Sequence, residues 1–91
     1  MEQKRAVITV VGKDQVGIIA KVTTALADNQ LNVLDISQTI LQDFFTMMMI
    51  VDLSKAADLD ALREDLDQIS EAMHLQIDMQ REDIFQSMHR I

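Results

Sequence analysis

A chain of 91 residues makes one domain, with a modest core that buries about 60–65% of the unfolded surface. Its 48% hydrophobic content excludes a disordered chain, and its lack of cysteine excludes a disulfide framework, a thiolate metal site and a cysteine nucleophile. A net charge of −7 with no Trp, no Tyr and three Phe argues against nucleic-acid binding, which needs cationic groups to neutralise phosphate and rings to stack on bases.

The charge is unevenly placed: residues 1–51 carry four Lys/Arg against five Asp/Glu, and residues 52–91 four against ten. The opening MEQKRAVITVVG has two basic residues and an apolar run that stops at Gly12. That run is too short for a signal peptide or a membrane span, and a soluble, cytoplasmic protein is expected.

Residues 5–11, RAVITVV, are short and β-branched. They read as a strand with two apolar faces, and therefore as a central one. After a loop, residues 18–30 place Ile18, Ile19, Val22, Ala25 and Leu26 at helical spacing, with Asn29 as the stop. Residues 32–41 alternate Leu34, Ile36, Gln38 and Ile40 against Asp35, Ser37 and Thr39, which predicts a half-exposed strand. Residues 44–53, FFTMMMIVDL, are apolar almost throughout and predict a second interior strand, reached by a tight hairpin at Gln42-Asp43. Residues 57–73 set Leu59, Leu62, Leu66, Ile69 and Met73 at steps of three and four, with Asp58 and Asp60 at the start, where the helix dipole favours negative charge. Residues 75–81 alternate again, and residues 82–91 gather Ile84, Phe85, Met88 and Ile91 on one helical face.

The predicted order is β-α-β-β-α-β plus a short C-terminal helix: a domain over 1–81 and an amphipathic tail over 82–91. This is the split βαβ, ferredoxin-like α+β plan with a four-stranded antiparallel sheet. Helices cover one face of such a sheet, so the other face needs a cover from the tail or a second copy.

Both glycines of the chain lie in VGKDQVG, residues 11–17, between the first strand and helix. The Lys and Ser/Thr of a P-loop are missing after Gly17, where Ile18 and Ile19 stand, and so is the middle glycine of a dinucleotide fingerprint. What remains is G-x-D-x-x-G before an amphipathic helix. Gly12 either takes a positive φ or lets something approach the backbone. Asp14 accepts hydrogen bonds either from its own loop, capping the turn, or from a ligand amine. The free N–H groups from Gly17 through Ile18 to Ile19 suit a carboxylate. A loop offering an acceptor and a nest of donors fits a zwitterion, such as a free amino acid.

The run VGKDQVGIIAKVTTALADNQLNVLDISQTI resembles the opening half of an ACT domain, and the likeness extends over about residues 5–81. The family pattern is a strand, G-x-D-x-P-G and two hydrophobics, a helix, and a second strand opening on Asn-hydrophobic. The resemblance implies a ferredoxin-like regulatory module that pairs with a second copy and binds a small molecule, usually an amino acid, where the first loop of one copy meets the second strand of another. It nominates Gly12, Asp14 and Gly17 in the loop and Asn32, Val33 and Asp35 on the strand. Val16 departs from the family proline, which should loosen the loop. The chain is also similar to small stand-alone bacterial ACT proteins with an acidic helix and an IFxxMHRI-type tail.

Other residues invite plainer readings. Met47, Met48 and Met49 point alternately to two faces of a strand, so they are packing residues rather than a metal patch. Asp58, Asp60, Glu64, Asp65 and Asp67 lack the glycine and spacing of a calcium loop and read as a solvated helix face. His74 and His89 have no partner ligand nearby in sequence. Asn32 and Asp35 each have a structural reading as well, as a turn residue and as a charge that discourages edge pairing. No catalytic constellation assembles, and the arginine that acylphosphatases place at the first helix is absent. The sequence therefore leads to a non-enzymatic, homodimeric module without cofactor or metal, sensing an amino acid or related metabolite. The alternative is a protein-interaction module that docks its target through the acidic helix or the tail.

Overall fold

The computed structural model of the chain describes residues 4–56 and 58–81; the expected tail helix over 82–91 lies outside the described residues. The elements run β1 (Arg5–Lys13), α1 (Ile18–Asp28), β2 (Asn32–Leu41), β3 (Phe44–Asp52), α2 (Leu59–Met73) and β4 (Leu75–Arg81). The sheet order is β2-β3-β1-β4, with every neighbouring pair antiparallel. The two strands with apolar residues on both faces, β1 and β3, are the interior ones, as their sequences require.

Register explains the core. Ala6, Ile8 and Val10 of β1 lie beside Val51, Met49 and Met47 of β3, and all six are buried. Against this surface α1 sets Ile18, Val22, Ala25 and Leu26, and α2 sets Leu62, Leu66 and Met73, in one cluster. Burying Met47 and Met49 contributes roughly 1.5–3 kcal/mol each, whereas Met48 faces the other way and stays exposed.

The helix boundaries follow their caps. Asp58 is extended and its Oδ1 accepts from the N–H groups of Asp60 and Ala61 at 3.0 and 3.2 Å, so α2 starts two residues later than its hydrophobic pattern predicts. At the end of α1, Gln30 N–H donates to the Ala27 carbonyl and Leu31 N–H to the Leu26 carbonyl. This is the Schellman arrangement, completed by a buried Leu26–Leu31 pair. Gln30 occupies its left-handed position at φ +63°. Asn29 Nδ2 then donates to the Ala25 carbonyl and to Asp65 Oδ2, tying α1 to α2.

Two expectations change. The first strand extends to Lys13, because Gly12 pairs with Phe45 on one side and Leu75 on the other. The second strand is not half-exposed but exposed along nearly its whole length, because it is the sheet edge. Its alternation is also broken by a bulge between Val33 and Asp35. Val33, Ile36, Gln38 and Ile40 therefore pair with the helix-side residues Val51, Met49, Met47 and Phe45, and Leu34 is the inserted residue.

Candidate functional site

The loop after β1 is tied down in three places. Asp14 N–H donates to the Asp43 carbonyl in the β2–β3 turn at 2.7 Å. Gln15 Nε2 donates to the Met73 carbonyl at the end of α2 at 2.8 Å, and to the Lys13 carbonyl at 3.3 Å. Gly12 packs so close to the start of β4 that a Cβ there would stand 2.6 Å from Leu75 Cδ2 and 3.3 Å from Leu75 Cα. Gly12 is thus needed for close approach, the second of its two expected roles. Gly17 is needed for conformation: its φ is +93°, and a Cβ would meet nothing within 4 Å.

With the backbone so held, two groups are left unused. The first intrahelical bond of α1 is Lys21 N–H to the Gly17 carbonyl, so the N–H groups of Ile18, Ile19 and Ala20 precede it. Gly17 supplies no side-chain cap and the first turn holds no acid; the corresponding donors of α2 are capped by Asp58. The Asp14 carboxylate is exposed and takes no hydrogen bond from the described residues. The turn-capping reading of Asp14 is therefore not what the loop does; Gln15 is the side chain that anchors it. No motif could have pointed to Gln15, because its acceptor lies 58 residues away.

The strand half of the candidate site is elsewhere. Asn32 pairs with Asp52 and Asp52 with Arg5, whereas Lys13 pairs with Phe44 and Phe44 with Leu41. From Arg5 to Lys13 is eight steps of strand, roughly 26 Å at about 3.3 Å each. Gly12, Asp14, Gly17 and Ile18 are gathered at one end of the protomer, and Asn32, Val33 and Asp35 lie at the other. Asp35 Oδ1 accepts from Ile36 N–H at 2.8 Å. Beside Asn32, the backbone and hydroxyl of Ser54 hold the Asp52 carboxyl below the usual carboxylate range.

Of the acidic stretch, Asp58 caps α2 and Asp65 accepts from Asn29, while Asp60, Glu64 and Asp67 are exposed. Among the described residues, no group of three or more His, Cys, Asp or Glu is placed to hold a metal ion, and no helix is long and apolar enough to cross a membrane. A groove of about 500 Å³ runs between α1 and α2, with Ala20, Thr24 and Ala72 among its lining and Lys21, Asp28 and Asp65 at its walls. It belongs to the helix layer and does not include the β1–α1 loop.

A family model described as ACT domain matches residues 4–80. A UPF0237 protein of Clostridium acetobutylicum is 48% identical over 88 residues, covering 96% of this chain and 99% of that protein. Among solved structures, an ACT domain protein from Streptococcus pneumoniae superposes with a TM-score of 0.77 at 39% identity, covering 92% of this chain and 96% of that one. The regulatory subunit of aspartate kinase from Thermus thermophilus superposes with a TM-score of 0.67 at 26% identity, over 87% of this chain and 52% of that one. With its sheet order, its tethered glycine loop and a match over 4–80, this chain belongs to the ACT domain family.

Proposed function

We propose that this protein is a homodimeric regulatory module that binds an amino acid or a closely related metabolite between the β1–α1 loop of one copy and β2 of the other. The observation that carries this reading is the loop: helix donors and a carboxylate that no described residue caps or binds, held in one tethered turn. The α1 N-terminus favours a carboxylate through its N–H groups and its dipole, and Asp14 complements an ammonium. A zwitterion satisfies both at once.

The edge strand supports the two-copy arrangement. In β2, Leu34, Ile36, Ile40 and Leu41 are all exposed beside a row of backbone groups that no strand among the described residues pairs. The strand contains no lysine or proline, and the features that blunt an edge, the Asp35 charge and the bulge at Leu34, are confined to its Asn32 end. A second β2 laid antiparallel along it satisfies the backbone and covers the apolar side chains. A two-fold axis near the middle of the strand brings the Asn32 end of each copy to the Leu41 end of its partner. Asp14 is bonded to Asp43, two residues beyond Leu41, so each loop then meets the Asn32–Asp35 segment that its own protomer holds far away. A ligand that touches both copies shifts their relative geometry by its differential affinity for the two arrangements. The kinship with a regulatory subunit of aspartate kinase fits this role.

Calorimetry against the twenty amino acids tests the reading. At least one should bind at micromolar to millimolar concentration, and Asp14→Ala should weaken it by about 1.5–3 kcal/mol, as for a hydrogen bond to a charged group. The reading fails if none binds, or if Asp14→Ala leaves the affinity unchanged.

A further inference from the structure

Around the two charged recognition elements, the surroundings are aliphatic. Val16, in the middle of the loop, is 98% exposed, the most exposed of the large hydrophobic residues described. Ile19, in the first turn of α1, is exposed as well, and so are Leu34 and Ile36 of β2. Isolated exposed apolar residues need no explanation. Val16, Ile19 and Leu34 lie on the two segments that the proposed dimer brings together, on either side of the α1 donors and Asp14, whereas Ile36 lies near the two-fold axis.

The polar side chains of the same segments are occupied or turned elsewhere, Asn32 lying beside Asp52 on the sheet face away from the helices. The Gln15 amide is spent on the Met73 and Lys13 carbonyls. Thr23, one turn after Ile19, donates its hydroxyl to the Ile19 carbonyl. Lys13 pairs with Phe44, on the sheet face away from the helices. Asp35 pairs with Ile50 and accepts the Ile36 N–H. Beyond Asp14, which the ammonium takes, the charged side chain left in the loop and the first turn of α1 is Lys21, and it lines the groove against α2.

We infer that the amino acid held here carries an aliphatic side chain, of the valine, leucine and isoleucine class, packed between Val16 and Ile19 of one copy and Leu34 of the other. This rests on the amino-acid reading above and narrows it. An aliphatic side chain removes its own surface and that of these three residues from water together, whereas a hydroxyl or a charge placed there loses its hydration without replacement.

The test is calorimetric titration of the intact protein with L-valine, L-leucine, L-isoleucine, L-alanine, L-serine, L-aspartate and L-lysine, repeated on Val16→Asn. At least one of the three branched amino acids should bind about tenfold or more tightly than alanine or serine, the discrimination that added methylenes give in an apolar pocket. Val16→Asn should weaken it roughly five- to tenfold. The thermal midpoint should stay the same, because the Val16 side chain already stands in water. Binding of serine, aspartate or lysine as tightly as the branched amino acids overturns the aliphatic class and leaves the amino-acid reading standing. Undiminished affinity in Val16→Asn overturns the placement of the side chain against Val16. Absence of binding by all seven overturns the class, and extending the titration to the remaining amino acids decides the broader reading separately.

Discussion

Gly17→Ala isolates the backbone conformation on which the loop depends. Gly17 sits at φ +93°, ψ 2°, in the left-handed region, as the residue before α1. A Cβ added there meets nothing within 4 Å, so the substitution creates no collision, and its whole cost is conformational. For an L-residue that cost is roughly 1–2 kcal/mol. Alanine is also a poorer N-cap than glycine, by a further few tenths. Against this, the unfolded chain loses freedom when alanine replaces glycine, which returns about 0.4–1 kcal/mol. The net expectation is a loss of about 1 kcal/mol, or a thermal midpoint lower by about 4–8 °C for a domain of this size. Circular dichroism melts at fixed protomer concentration read this directly, the concentration being held because any dimer couples the midpoint to it. Gly17→Asn should lie between wild type and Gly17→Ala, since asparagine tolerates the left-handed region. A Gly17→Ala protein that melts at or above the wild-type temperature would refute the assignment of Gly17 to that conformation.

Gly12→Ala acts by a different mechanism. Its Cβ must displace Leu75 Cδ2 at 2.6 Å and press on Leu75 Cα at 3.3 Å, so urea unfolding should show a loss of about 1–3 kcal/mol, as for overpacking. Met49→Ala should cost about 2–5 kcal/mol as a cavity in the core, and Met48→Ala within about 0.5 kcal/mol; equal losses would contradict the alternation of β3. Ile36→Lys places a charge on the exposed edge strand and should convert a sedimenting dimer to monomer, an unchanged sedimentation coefficient counting against pairing through β2. Asp52→Asn tests the Ser54 bonds through pH. A carboxylate held low by folding adds stability above the ordinary aspartate value of about 3.9 and loses it as pH falls through its lower folded value. The variant should therefore show a flatter acid limb of stability below about pH 4, with wild-type curvature above it.

The fold was legible because each element carries its period in its own residues. Val7 with Ile8 and Met48 with Met49 show two-sided apolar strands, and Leu62, Leu66 and Met73 a helical stripe. These are local patterns, and the order of elements leaves few ways to arrange them. Boundaries were less legible where a side chain outcompetes the pattern, as when Asp58 delays α2 by capping it. The bulge at Leu34 was hidden because Val33 and Leu34 are both aliphatic, so either one fits an apolar face. Of the candidate site, the glycines and Asp14 stood out as rare residue types at a strand–helix junction. Gln15 did not, because its function is a hydrogen bond to Met73, set by how α2 lies against the loop.

The sequence by itself determined the secondary elements, their order and, β2 excepted, the apolar face of each, because these follow from spacing along the chain, and its resemblance to a known family pattern gave the family. Only the tertiary structure decided that β2 is an exposed edge, that Gly12 serves close packing while Gly17 serves a left-handed turn, and that Asp14 remains uncommitted. It also decided that Asn32 stands about 26 Å from the end of β1 that carries the loop. Those facts depend on strand register and on which surfaces meet, and register is a relation between distant segments that no local spacing encodes.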